Sequence, residues 1–279
     1  MPLHGRLAST PLTMRRYISK RTVFAAVVAM ALLSAIAIGV SRTRSRAFKT
    51  EVELRQSRIP ATVLWAWERP TDLRFIDPNR VGVAFLARTI RLRADEVLIK
   101  PRFQPLDLAE HTKVIAVVRV ESDSESKPLL TSNQTRLLVD GIEAVTHLPN
   151  VLAVQIDFDA TNSEREFYRN VIVEVRRRLA PSVGFSITAL ASWCADDDWI
   201  SDLPIDEAVP MLFRMGPDRQ VIQNRLSAHE EFSAKPCRSS YGVSTDEPLD
   251  SLQSEKRMYV FNPQAWTAQS VRAILESRK

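Results

Sequence analysis

The chain has 279 residues, of which 45% are hydrophobic and 25% charged, with seven glycines and sixteen prolines. That is enough apolar content for one sizeable core, and it excludes a collagen-like, low-complexity or largely disordered chain. The formal charge of +5 is concentrated at the start: residues 1–58 hold eleven of the 38 bases and two of the 33 acids. The remainder is acidic by about four charges, which excludes nucleic acid as its natural partner.

Residues 1–21 are basic, with Arg6, Arg15, Arg16, Lys20 and Arg21 and no acid. The run Thr22–Val40 carries no charge and is as long as a bilayer core requires. Two readings stay open. One is an uncleaved transmembrane anchor, supported by Arg42, Arg44 and Arg46 directly behind it. The other is a signal segment cleaved near Ala35 and Ala37. A short basic N-terminus before a long domain predicts a single-pass inner-membrane protein with its domain in the periplasm, or a secreted periplasmic protein after cleavage. Basic residues on both sides of the run can meet anionic headgroups. Residues 41–59 read as a polar tether, and 60–279 as the folded domain.

Eight apolar runs of strand length follow: Ala61–Trp67, Val81–Ala87, Lys113–Val120, Val151–Phe158, Val183–Leu190, Ala208–Phe213, Ser240–Ser244 and Arg257–Phe261. An extra hairpin is expected around Ala94–Asp95. Helical patterns fall at Thr131–Val145, at Ser163–Leu179 before Pro181, at Asp218–Leu226 and at Gln264–Ser277. The spacing of Ser163 and Glu166 predicts a capping box. Strands that are apolar throughout are buried on both faces, and alternation with helices makes parallel βα units the natural arrangement. The predicted fold is a compact (β/α)8 TIM-barrel-like domain with some helices missing, preceded by the one N-terminal transmembrane or signal helix. An open doubly wound sheet is the alternative.

In a barrel, functional groups gather at the carboxyl ends of the strands. Those ends carry Trp67 and Glu68, Arg119 and Glu121, Asp157 and Asp159, Trp193 and Cys194, Arg214, Asp246 and Glu247, and Asn262. Strand alternation puts Gln155, Asp157 and Asp159 on one face of the fourth strand, away from Val154, Ile156 and Phe158. The two acids then stand about 6.6 Å apart along the strand. That separation suits a glycosidase pair without choosing retention or inversion. Either the pair is functional, or it is structural and bonded to Arg119, Arg214 or loop amides. Asp246 and Glu247 precede Pro248 as a turn would, yet fall beside the predicted mouth. Trp193 is the best candidate to stack on a sugar ring. Cys194 and Cys237 form a disulfide in an oxidising compartment or remain two free thiols. No zinc spacing, phosphate loop or dinucleotide fingerprint occurs, so no cofactor or metal is expected.

The stretches "WAWERPTDLRF", "QIDFDATNSEREFY", "SITALASWC", "DEAVPMLFRMG" and "YGVSTDEP" together resemble a bacterial domain-of-unknown-function family, the one numbered 3142. The resemblance covers roughly Thr62 to Trp266 and implies no established activity. A more distant likeness is to the glycoside hydrolase family 18, whose fourth strand ends in D-x-x-D-x-D-x-E. Asp157 and Asp159 match its second and third acids, whereas Val154 and Thr161 stand at its first acid and its proton-donating Glu. By that likeness a different acid, Glu68, Glu121 or Glu247, would serve, or the barrel would bind glycans without cleaving them.

Three functions follow as expectations. The first is an envelope-glycan hydrolase with Asp157, Asp159 and Glu247 as its acids and Trp67, Glu68, Arg119, Trp193, Arg214 and Asp246 binding the glycan. The second is a non-catalytic polysaccharide- or protein-binding barrel. The third is a divalent-cation-dependent hydrolase using Asp157, Asp159 and Asp246.

Overall fold

The computed structural model describes residues 51–249, 252–253 and 255–278. The predicted strands are present as β1 (Thr62–Ala66), β3 (Val81–Arg93), β6 (Val114–Ser122), β7 (Val151–Asp157), β8 (Gly184–Leu190), β9 (Glu207–Met211), β10 (Ser240–Ser244) and β11 (Arg257–Phe261). They pair in parallel in that order, and β1 pairs with both β11 and β3, which closes the sheet. The closure rules out the open doubly wound alternative. The protein is an eight-stranded parallel barrel of the (β/α)8 type.

Among the described residues three short strands lie outside the ring. β4 (Glu96–Pro101) folds back on β3 as the predicted hairpin, with Ala94 in left-handed backbone at φ 46°. β2 (Thr71–Leu73) and β5 (Leu106–Leu108) form a separate parallel pair. The hairpin and this pair replace helices after the first two barrel strands. Helices do follow five others; the first four are α1 (Ser132–Glu143) after β6, α2 (Arg165–Arg178) after β7, the short α3 (Ala191–Ala195) after β8, and α4 (Arg219–Ser227) after β9. The last, α5 (Ala268–Glu276), follows β11.

Local sequence sets these boundaries. Thr131 caps α1, accepting from the Gln134 amide while Gln134 answers with its side chain. Gly141 lets α1 press onto the barrel, because a Cβ there would come within 2.8 Å of Ile90 Cδ1. The capping box before α2 begins two residues earlier than predicted. Thr161 is its N-cap, and Glu164 closes it by accepting from the Thr161 amide at 2.7 Å. Glu166 is an exposed residue in the first turn of α2.

The core has two layers. Ile90, Leu138, Ile142, Val154, Ile156, Tyr168, Phe185 and their neighbours fill the space between strands and helices. A smaller cluster of Val63, Trp65, Ala84, Ile115, Val117, Ala153, Val209 and Tyr259 fills the barrel itself. At the amino ends of the strands Glu207 accepts from Arg257 Nη1 at 2.9 Å, and from the Tyr259 hydroxyl. Residues 51–57, read from sequence as tether, are helical and dock at this end. There Arg55 binds the Asp206 carboxylate at 2.9 and 2.7 Å. Among the described residues no helix is long and apolar enough to cross a membrane. The basic stretch 1–21 and the Thr22–Val40 run lie outside the described residues.

Cys194 and Cys237 are bonded to each other. The bond ties α3 to the turn before β10, and both residues are fully buried.

Candidate active site

β7 carries the acids to the carboxyl end of the barrel. Its inner face runs Ala153, Gln155, Asp157. Gln155 is held by the Trp65 indole N–H at 3.3 Å and itself donates to Ser186 Oγ at 3.2 Å. This polar layer closes the barrel below the mouth. One step higher, Asp157 accepts from Thr188 Oγ1 at 2.7 Å. Asp157 is half-buried, and Asp159, two residues on, is exposed.

Burial is the largest influence on the Asp157 carboxyl and pushes its pKa above the usual carboxylate range; Asp159 and Glu121 add to the rise, while Thr188 and Arg119 oppose it. A carboxyl with this bias holds its proton longer than an exposed one. Arg119 stands beside Asp157 because their strands are paired at that step. Its guanidinium lies 5.8 Å from the Trp67 ring centre and 3.1 Å from Glu121, which also binds Arg91 at 3.0 Å.

Two cavities meet at these acids. One, of about 280 Å³, is the barrel mouth; Trp65, Trp67, Met211, Phe213 and Phe261 supply its apolar wall, and Arg119, Asp157, Asp159 and Thr188 its polar one. The other, of about 780 Å³, runs over the ends of β3, β6 and β7 and is lined by Arg91, Glu121, Lys127, Thr161 and Glu164 among others. Arg119, Asp157 and Asp159 line both. A third hollow, of about 190 Å³, shares Trp65 and Trp67 with the mouth and extends to Trp266. The arrangement is a trough across the carboxyl face, with two adjacent carboxyls in the middle and aromatic rings toward one end. Such a trough can hold an extended polar chain with apolar faces.

Arg214 does reach the mouth. Its backbone is left-handed at φ 52°, and its guanidinium lies 5.9 and 5.6 Å from the Phe213 and Phe261 ring centres. Those rings are stacked on each other at 5.7 Å. Glu247 and Asp246 serve this loop. Glu247 accepts from the Arg214 amide at 3.2 Å and from Arg219 at 2.8 Å. Asp246 accepts from Ser244 and lies 3.8 Å from Arg214. Neither lines the cavities that contain Asp157 and Asp159. Asp246 therefore does not converge with those acids, and among the described residues no group of three His, Cys, Asp or Glu could hold a metal ion.

Trp193 is corrected most clearly. It is only 4% exposed, packed edge-on against Trp199 at 4.9 Å, so it offers no stacking face. Glu68 is exposed and lies in a small crevice with Arg88 and Arg102, outside the trough. The residue at the likeness's proton-donor position, Thr161, donates its hydroxyl to Glu164 at 2.6 Å. Glu164 also accepts from Ser122 and is bound into the capping box.

Sequence reading missed the apolar half of the mouth. Leu190, Met211, Phe213 and Phe261 could have been found by continuing the alternation of β8, β9 and β11 to the strand ends.

No family model matches the chain, and no curated protein matches it by sequence. The resemblance to family 3142 thus rests on the quoted motifs. Among solved structures, the chain is similar to the chitinase domain of the spore coat protein CotE from Clostridium difficile, at 15% identity and a TM-score of 0.37, over 57% of this chain and 53% of that one. It is also similar to the Bacillus cereus spore cortex-lytic enzyme SleL, at 13% identity and a TM-score of 0.45, over 66% of this chain and 51% of that one. The chain spans about half the length of each.

Proposed function

We propose that this barrel is a glycan-cleaving hydrolase working in the periplasm, held at the inner membrane by the Thr22–Val40 segment. The observation that carries the reading is Asp157, a carboxyl biased toward its protonated form by burial and placed where two cavities join, with the exposed Asp159 beside it. In this reading Asp157 is the general acid that protonates the leaving oxygen, and Asp159 stabilises positive charge on the sugar or orients water. Arg119 positions Asp157, and Trp67 with the Phe213–Phe261 pair supplies apolar contact to ring faces. The trough suits a polymer better than a single sugar. The Cys194–Cys237 bond supports an oxidising compartment.

A second reading, a barrel that binds glycans without cleaving them, is favoured by one observation: Thr161 replaces the glutamate of the family 18 pattern. Incubating the full chain, kept in mild detergent, with a panel of envelope polysaccharides distinguishes the two. New reducing ends from the wild type and none from Asp157→Asn/Asp159→Asn support the hydrolase. Binding by both without new ends supports the second reading. Neither binding nor new ends on any glycan rejects both.

A further inference from the structure

We propose that the chain forms a two-fold symmetric dimer by pairing β4 edge to edge with a second copy. β4 is an edge strand, paired with β3 as its one strand partner among the described residues, while the Gln134 side chain of α1 donates to its first carbonyl, that of Glu96, at 3.1 Å. Leu98 and Ile99 at its centre are 46% and 45% exposed, which is unusual for two adjacent large apolar residues on an open edge.

The register follows from the ladder. Arg102 donates its amide to Ala87 at 2.9 Å. Bonded pairs in an antiparallel ladder recur at every second residue. Lys100, Leu98 and Glu96 therefore turn their backbone groups toward β3, and Val97, Ile99 and Pro101 turn theirs outward. Pro101, which has no N–H, sits where a sheet edge tolerates proline.

Two copies can meet only with outward groups facing each other. A two-fold axis at Leu98 sets Val97 opposite the partner's Ile99, so that these residues exchange four hydrogen bonds. The same register places Glu96 opposite the partner's Lys100, and Lys100 opposite the partner's Glu96. Both are exposed. They fall at unbonded pairs, where opposed side chains approach most closely. Leu98 meets the partner's Leu98 on the axis. The segment Glu96–Lys100 is thus complementary to itself in hydrogen bonding, charge and apolar contact. A hollow of about 310 Å³ on this face, lined by Arg91, Leu98, Lys100 and Glu121, shares Arg91 and Glu121 with the large cavity. In the pair, the trough of one copy runs toward that of the other.

The test uses cysteine cross-linking in the full chain, whose own cysteines are bonded to each other. Leu98→Cys is expected to give a disulfide-linked dimer on mild oxidation, because opposed unbonded residues stand about 4.5 Å apart at Cα, within disulfide reach. Ile99→Cys is expected to form the same pair without a disulfide link, since its opposite residue is Val97. Adding Glu96→Lys to Leu98→Cys is expected to lower the yield about tenfold, and adding Lys100→Glu as well to restore it. Leu98→Cys linking no faster than Ile99→Cys would overturn the proposal, as would failure of the double reversal to restore the yield. All these positions are exposed, so each variant should keep the wild-type fold by circular dichroism.

Discussion

Replacing Glu207 by Gln tests whether the lower end of the barrel is held by a buried charge pair. Glu207 is 2% exposed and Arg257 about a tenth exposed, and the carboxylate lies 2.9 Å from the guanidinium. Gln keeps the shape and one acceptor oxygen, and it strands the Arg257 charge. Removing one partner of a buried pair costs about 3–5 kcal/mol. Arg257 also donates to the Gln56 carbonyl at 2.6 Å and weakly to Pro60 at 3.3 Å, so the lower figure, about 3 kcal/mol, is expected. For a domain of this size that lowers Tm by about 6–12 °C. Replacing both residues, Glu207→Leu with Arg257→Leu, should recover most of the loss, because an apolar pair of similar volume needs no desolvation. Calorimetry on the three proteins checks this. A Glu207→Gln penalty below about 1 kcal/mol would refute the reasoning, because it would mean that water or the backbone already neutralises Arg257.

Burial raises the Asp157 pKa and the Thr188 hydroxyl lowers it. Thr188→Val should therefore move the basic limb of the pH–rate profile to higher pH, since a general acid works below its pKa; a limb that moves down would reject Asp157 as the acid. A carboxyl with a raised folded pKa contributes stability below its unfolded value that is lost as pH rises through the folded one. Asp157→Asn should accordingly melt higher than the wild type near neutral pH, with the gap closing toward pH 4, as thermal scans across pH will show. The Cys194–Cys237 bond closes a separation of 43 residues, so Cys194→Ala/Cys237→Ala should lose about 4 kcal/mol in denaturant melts by the chain-entropy estimate. At Gly242 a Cβ would meet Met211 Sδ at 2.9 Å and Trp65 at 3.3 Å. Gly242→Ala should therefore cost about 1–3 kcal/mol and narrow the mouth, weakening ligand binding in calorimetric titration.

The barrel was legible because parallel strands covered on both faces leave continuous apolar runs, and even the weak "SYGVS" run is a barrel strand. Closure was less legible, since it depends on β1 pairing on both sides. Other details depended on contacts distant in sequence. Thr161–Glu164 and Ser163–Glu166 both have capping-box spacing, and the choice goes to Glu164, which also accepts from Ser122, 42 residues away. Trp193 follows a strand as a mouth residue would. The disulfide at Cys194 and the packing of Trp199 draw it into the core instead. Asp157 was legible from alternation alone, because a carboxyl on the inner face of an otherwise apolar strand is expensive without a purpose. Its partner Thr188, on the inner face of β8, was not visible without the register between strands. Phe213 and Phe261 read as the ends of buried strands, and only the closed ring shows them as a stacked pair over which Arg214 lies.

The most direct measurement is the kcat and KM of Asp157→Asn on whichever glycan the wild type cleaves. Removing a general acid while keeping shape and hydrogen bonding predicts a kcat loss of about 10²–10⁴ with KM changed by no more than about threefold. Retention of kcat within about fivefold would place the chemistry elsewhere and contradict the assignment of Asp157 as the acid.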